Sequence, residues 1–481
     1  MNSKIACVQK ELENFLQKGE LSKEQLIHFF QHHSDILLVD VGVDHLSVIY
    51  CRGMIDSAQY NQYIHTVIDE LLNEKNVCQR EEPPLNLITT AKDMIENVFS
   101  GTVIFYKDGD HSFWGLNIAK IPQRSPEESS TDIAIKGPKD AFTEEIDTNI
   151  SLIRKRLKSV NLFSESFSLG SLSQTKVTLL YLSHKADKEM IDEIRKRLTS
   201  LDTESIVSAG QLEQWISDRT LSLFPLLDYI TRPDFAIESM LRGRFVIVVN
   251  GSPIVLIGPS NLLELIKSPE DAHFPYHFVI FQRILRIIGI VTAIYLPGLW
   301  VAISSVNISQ LPFSLLATVV ISREGIPIPT ALETVLILGL FELLREAGVR
   351  MPTAVGQTVS IVGGLIIGDA AIRAGLTSPT LIVIVALTAV CTYTLVNQSL
   401  SGTVSILRLY IIMMSAFLGV YGFFLATFSI LIYLCKLESF KLAYLAPLTS
   451  INTKEILSAL FQNPLKTKKF TWKELSKRRN S

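Results

Sequence analysis

The chain has 481 residues, 48% of them hydrophobic and 19% charged, with a formal net charge of −2. Residues 1–282 hold 28 Lys+Arg against 39 Asp+Glu (net −11), whereas 283–481 hold 17 against 8 (net +9), so the near-neutral total hides an acidic front and an apolar back with basic flanks. The five cysteines, Cys7, Cys51, Cys78, Cys391 and Cys435, are an odd number with no C-x-x-C, which fits free thiols in a reducing compartment.

Residues 1–33 read as a polar helical segment. The opening MNSKIACVQKELENFLQKGE carries no apolar signal stretch, so the front of the chain is expected in the cytosol. An α/β subdomain follows at 34–122 and a second at 165–266, with a linker and a charged helix (140–158) over 123–164. The two subdomains contain an internal repeat. Residues 94–109 (MIENVFSGTVIFYKDG) align without gaps to 236–251 (AIESMLRGRFVIVVNG) at an offset of 142, matching Ile95 to Ile237, Glu96 to Glu238, Gly101 to Gly243 and Gly109 to Gly251. Each copy reads as an amphipathic helix ended by glycine, an apolar strand, and a tight turn at Asp108-Gly109 or Asn250-Gly251, the dipeptides favoured by two-residue hairpins. Upstream, 47–51 (SVIYC) matches 178–182 (TLLYL), each a strand followed by a long helix.

No arrangement of residues points to catalysis, a cofactor or a metal. The run GGLIIG at 363–368 has the wrong spacing for a dinucleotide fingerprint. His28/His32 and His273/His277 have i,i+4 spacing, but read as surface or interface histidines rather than a metal site. The carboxylates of FTEEIDTN read as a solvated helix start. The chain is therefore expected not to be an enzyme, and no nucleic-acid partner is implied.

From 284 to 435 the chain reads as a polytopic transmembrane bundle. No Asp, Glu, Lys or Arg occurs between Arg286 and Arg323, between Arg373 and Arg408, or between Arg408 and Lys436. Each window exceeds the roughly 20 residues a bilayer-spanning helix requires. Four spans are expected, at about 285–306, 355–373, 379–397 and 409–435. Residues 311–347 are expected as a re-entrant or interfacial element, because REGIPIP breaks the helix and because Glu333, Glu342, Arg345 and Glu346 sit in an apolar stretch. The tail 436–481 is basic and expected in the cytosol, free or against anionic lipid.

The helix 355–373 has two faces. Gly356, Ser360, Gly364 and Gly368 form a small-residue face suited to close helix packing. Thr358, Val362, Leu365 and Asp369 form the opposite face, polar at its ends and apolar in the middle. That pattern suits a pore with a hydrophobic constriction, lined by one helix from each subunit of a ring; an ordinary packed helix is the alternative. For the whole chain the residues leave three readings open: ion channel subunit, solute transporter, and non-conducting scaffold for a sensing partner.

Several long motifs then carry a resemblance: GPKDAFTEEIDTNISLIRKRLKS at 137–159, TRPDFAIESMLRGRFVIVVNGSPIVLIGP at 231–259, SPED at 268–271, REGIPIPTALE at 323–333, and ELLREAGVRMPTAVGQTVSIVGGLIIGDAAIRAG at 342–375. Over about 135–450 the chain resembles the A subunits of spore germinant receptors, the GerA type; stage V AF-type sporulation proteins share the same motifs. The resemblance implies a multi-pass protein of the spore inner membrane. It implies a transporter-like B subunit and a lipoprotein C subunit as partners, small nutrients as the signal, and ion release as the outcome. Two positions depart from the family pattern: Asp369 stands where Gln is usual, and Val396-Asn397 where Pro is common.

Overall fold

The computed structural model describes residues 12–18, 21–42, 45–72, 83–120, 135–350, 368–446 and 448. Those up to Thr220, with Leu227–Pro259, form an α/β unit; Leu221–Leu226 and those from Ser260 onward form a helical unit.

The α/β unit holds two five-stranded antiparallel sheets. The first contains β1 (Ile36–Asp40), β2 (Leu46–Cys51), β3 (Leu85–Ile88), β4 (Thr102–Lys107) and β5 (Phe113–Asn117), in the order β1-β2-β4-β5-β3. Helix α1 (Lys23–Phe30) precedes it, started by a Ser22/Gln25 capping box; α2 (Ser57–Leu72) links β2 to β3, and α3 (Ala91–Val98) links β3 to β4. Side chains alternate across a strand. Ile49, Ile104, Tyr106 and Phe113 pack with Met94, Ile95 and Val98 of α3 and with Leu26 and Phe30 of α1. On the opposite face Val48, Val103, Phe105 and Leu116 pack with Ile64 and Val67 of α2. Covering both faces explains why β2 and β4 read as near-continuous apolar runs.

The second sheet repeats this plan. After α4 (Ile146–Arg156) come β6 (Leu162–Leu169), β7 (Thr175–Leu182), α5 (Lys188–Thr199), α6 (Ala209–Ile216), β8 (Asp228–Ile230), α7 (Pro233–Leu241), β9 (Phe245–Val249) and β10 (Val255–Gly258), with strand order β6-β7-β9-β10-β8. The ladders share their register too. Ser47 faces Tyr106 and Val48 faces Phe105 in the first sheet, as Thr178 faces Val248 and Leu179 faces Ile247 in the second. Ile104 opposite Gly115 corresponds to Val246 opposite Ile257. Gly101 and Gly243 have φ of 91° and 96°, Gly109 and Gly251 of 88° and 83°.

Two details differ from the sequence reading. The connections after β4 and β9 are five-residue segments, 108–112 and 250–254, not two-residue loops. Only the glycine of each Asp-Gly or Asn-Gly pair takes positive φ, with Lys107 and Val249 carbonyls accepting from Asp110 and Ser252 N–H groups. That is a turn with left-handed backbone at its second central position alone, whereas a type I′ turn needs it at both. Second, α4, which falls in the stretch 123–164 expected as linker and charged helix, packs as a core element. Ile146, Ile150 and Ile153 are in the core of the second sheet with Phe235, Ala236 and Met240 of α7, and Asn149, Ser151 and Arg154 are buried as well.

The first long helix of the helical unit is α8 (Tyr276–Val301), which continues into a π-helical turn at Ala302–Val306. It is followed by α9 (Phe313–Ser322), α10 (Thr330–Arg350), a short helix at 368–373, α11 (Pro379–Tyr393) and α12 (Gln398–Cys435). By length and apolar composition, α8 with its π turn and α12 could each cross a membrane.

Helix α12 is not one rod. Gly419 leaves helical geometry (φ 60°, ψ −139°). The Tyr410 hydroxyl lies 3.0 Å from the Ser429 hydroxyl. In a straight helix nineteen residues would separate them by roughly 28 Å. The two arms, 398–418 and 420–435, therefore fold back on each other as an antiparallel hairpin. The expected single helix at 409–435 becomes the end of one arm, a turn, and the other arm. The tip is capped from α8's side: Asn307 Oδ1 accepts from Val420 N–H at 2.9 Å. Ile411 packs at Gly298 of α8, so α8 and the first arm run in the same direction.

Residues 311–347, expected as a re-entrant or interfacial element, hold α9, a loop and most of α10. Helix α10 is continuous for 21 residues, about 31 Å by helical rise. It runs antiparallel to the first arm of α12: Glu342 accepts from Ser405 Oγ at 3.0 Å, and Arg345, further along α10, reaches back to Ser401 Oγ at 2.8 Å. The proline-containing REGIPIP stretch forms the loop between α9 and α10.

Candidate functional site

The charged residues of α10 meet two polar clusters inside the helical unit. Glu333 is fully buried. Its Oε1 accepts from Ser378 N–H at 2.6 Å, Ser378 Oγ at 3.0 Å and Thr377 Oγ1 at 3.0 Å. Ser378 is the N-cap of α11, with Pro379 at the first helical position. The start of α11 thus offers unpaired backbone N–H groups and a positive dipole end, and Glu333 supplies the matching anion from α10. Its Oε2 lies 3.7 Å from Arg323 Nη2. Arg323 in turn donates to the Ile328 carbonyl at 3.1 Å and to Thr330 Oγ1, which ties the loop before α10 to the same point.

The second cluster lies two and a half turns along α10. Arg408, buried on the first arm of α12, places Nη2 3.4 Å from Glu342 Oε2 and Nη1 3.4 Å from Thr392 Oγ1 of α11. Arg345 pairs with the other carboxylate oxygen of Glu342. Two guanidinium groups share one carboxylate, with Ser401 and Ser405 filling the remaining hydrogen-bonding positions. Charged side chains in an apolar bundle persist where they pair in this way. Glu346 stands apart, exposed and paired with Arg350 at 2.7 Å. A groove of about 730 Å³ runs along α10, lined by Val335, Leu336, Gly339, Leu340, Leu343, Glu342 and Glu346.

Of the eight positions singled out on the helix 355–373, Gly356, Thr358, Ser360, Val362, Gly364 and Leu365 lie outside the described residues. Asp369 is exposed and pairs with Arg373 at 2.8 Å. A Cβ added at Gly368 would meet nothing within 4 Å, so no described residue makes the close approach expected there. The sequence reading missed Arg323, Arg408, Ser378 and Thr377 as partners. Arg323 and Arg408 did carry a signal, as lone charges between apolar windows.

In the α/β unit a buried charged cluster lies where the two repeats meet. Arg154 of α4 donates from Nε to Asp35 Oδ2 at 2.7 Å and from Nη2 to Asp35 Oδ1 at 3.0 Å, and its guanidinium stacks 4.5 Å from the Phe99 ring centre. Ser164 Oγ also donates to Asp35, and His33 Nδ1 lies 3.2 Å from Arg154 Nη2. Burial opposes ionisation of Asp35, yet Arg154 and the Ser164 hydroxyl hold its carboxyl down at about 2. Burial and the adjacent Arg154 charge push His33 down to about 3, so it is neutral at physiological pH. Burial and the Asp35 charge raise the Cys51 thiol, leaving it unreactive. The cluster is paired and shielded from solvent; it joins the repeats and offers no reactive group.

Comparison with known proteins places the whole chain. The family described as Bacillus/Clostridium GerA spore germination protein matches residues 24–473. The chain is 40% identical over 449 residues to spore germination protein XA of Bacillus anthracis, covering 91% of this chain and 90% of that one. It is 33% identical to spore germination protein KA of Bacillus subtilis (strain 168), covering 90% of this chain and 82% of that one. The crystal structure of the N-terminal domain of the A subunit of the Bacillus megaterium spore germinant receptor GerK3 is similar at 28% identity, with a TM-score of 0.37, covering 50% of this chain and 94% of that one. With matches running through both the α/β and the helical unit, this chain belongs to the GerA spore germination protein family.

Proposed function

We propose that this protein is the A-type membrane subunit of a spore germinant receptor, which responds to small nutrients and starts germination. The observation that carries this reading is the family match over residues 24–473, which spans both units. The helical unit crosses the spore inner membrane, with both termini in the cytosol. The described stretches α8, α10, α11 and the two arms of α12, together with the span expected at about 355–373, would make six crossings where four were expected. Paired buried charges in α10 and α12, with apolar residues such as Leu332, Leu343, Phe417 and Phe428 exposed, support a bundle in lipid. Partners are a transporter-like B subunit and a lipoprotein C subunit.

The output is an ion current through a ring of copies, with Thr358, Val362, Leu365 and Asp369 lining the path. Asp369 projects out of its own chain's packing, which supports a place facing other copies. Purified protein in liposomes tests this: unitary currents are expected, and Val362→Ala or Val362→Ser should make them leak. Saturable solute uptake without currents would mean a transporter instead. Silence in both assays, together with normal germination of spores lacking the chain, would remove the receptor reading.

A further inference from the structure

Residues 221–226 lie in sequence between α6 and β8 of the α/β unit, yet they group with the helical unit. The attachment is specific. Leu223 N–H donates to the Tyr433 hydroxyl at 3.0 Å, and the Leu223 carbonyl accepts from Thr403 Oγ1. Thr403 is on the first arm of α12 and Tyr433 on the second, so one residue's backbone bridges both arms at the open end of the hairpin. The Leu226 carbonyl accepts from Ser439 Oγ at 2.6 Å and from Ser260 N–H at 3.1 Å. Phe224 and Leu226 are buried in the same apolar cluster as Leu400 and Leu434 of the two arms. The other end of the hairpin, at Gly419, is closed by Asn307.

We propose that 221–226 is a clasp: it sets the spacing of the open end of the α12 hairpin, and through it the α/β unit, joined to it covalently at Thr220 and Leu227, acts on the helical unit. The physical case rests on the bond pattern. Peptide groups in an apolar bundle must find partners, and here those partners are side chains from two different helices. Removing the clasp leaves Thr403 and Tyr433 without their shared partner, and the arms then hinge at the Gly419 turn. A push or pull on either flank of the hexapeptide is delivered to both arms at once, because both arms hold the same residue.

The test uses the full chain in liposomes, with native cysteines replaced by alanine and spin labels at Ile406→Cys and Ile432→Cys, exposed positions on opposite arms. In Thr403→Val/Tyr433→Phe the interarm distance distribution should lengthen and broaden; an unchanged distribution overturns the clasp. A second variant keeps every clasp contact but inserts flexible Gly-Ser segments after Thr220 and before Leu227. Its distance distribution should match the parent, while spores carrying it should lose the nutrient response. A retained response overturns the coupling. The response arm rests on the receptor reading above and the distance arm does not, so if the parent chain itself supports no germination, only the receptor reading falls.

Discussion

Arg154 and Asp35 meet in a two-pronged ion pair, 2.7 and 3.0 Å, although one belongs to the second repeat and the other to the first. Both are buried. Breaking such a pair strands a charge away from water. Arg154→Ala should therefore lower the stability of the α/β unit by about 3–5 kcal/mol. Arg154→Lys should recover only part of it, because an ammonium cannot match both carboxylate oxygens. Chemical unfolding of the detergent-solubilised chain, followed by near-UV circular dichroism, measures both.

The same cluster sets an acid limit. The folded pKa of His33, about 3, lies below its unfolded value of 6.5. Between those values the unfolded chain binds a proton that the folded chain refuses, so stability falls as pH drops from about 6.5 toward 3. The slope approaches about 1.4 kcal/mol per pH unit for one proton. Asp35, depressed to about 2, adds stability that is complete above 3.8 and lost as pH falls through 2. His33→Gln should flatten the stability profile between pH 6.5 and 4 and leave the lower loss in place. A profile identical to the parent's would show that His33 is not the group responsible.

Two glycines should respond to substitution for different reasons. At Gly251, φ is +83° and a Cβ would meet nothing within 4 Å, so only the backbone objects. Gly251→Val should cost about 1–3 kcal/mol, while Gly251→Asn should be nearly neutral, since asparagine tolerates the left-handed region. At Gly53, a Cβ would lie 2.7 Å from the Asp147 carbonyl oxygen of α4. Even Gly53→Ala should separate the repeats and cost about 1–3 kcal/mol as overpacking. Thermal unfolding midpoints of the three variants distinguish the two causes.

Glu333 and Ser378 should be energetically coupled. Ser378→Ala removes an N-cap, for about 1 kcal/mol. Glu333→Ala should cost about 3–5 kcal/mol, since it leaves Arg323 and the start of α11 without their anion. In the double variant the losses should fall short of additive, because both residues act on one helix terminus. Strict additivity in a thermal-shift series would refute the shared role.

The hairpin in α12 predicts where labels react. A cysteine at Val306, near the Gly419 tip, and the native Cys435, at the end of the second arm, should lie on opposite faces of the membrane. An impermeant maleimide applied to intact cells should modify Val306→Cys and spare Cys435 and Ser399→Cys. Modification of Cys435 alone would mean α12 crosses once, as a single rod.

The repeat in the front of the chain was legible because its signal lies in residues that any copy of the fold must keep. Gly101/Gly243 and Gly109/Gly251 hold positive φ, and the apolar runs between them form β4 and β9. The partner of Arg154 was not legible. It lies 119 residues upstream, and a helix rich in Lys and Arg reads as solvent-facing until that partner is known. The fold-back of α12 was hidden for a related reason. Between Arg408 and Lys436 no charge marks a turn, and the chain reverses on one glycine and an asparagine acceptor 113 residues away from Val420. In the candidate site, Glu333 and Glu342 were visible as charges out of place. What they bind was not, because hydroxyl donors such as Ser378 and Ser405 are common in apolar helices and carry no pattern of their own.

The Gly419 reversal also fixes a parity. In a topology where both arms cross, the face of the membrane that holds residue 398 holds residue 435 as well, because the two arms leave and return together. Residues 436–446, which follow the second arm directly, would then take their side from the helices before α12. Lengthening, shortening or deleting the hairpin as a whole would leave that side unchanged, whereas loss of one arm would invert it.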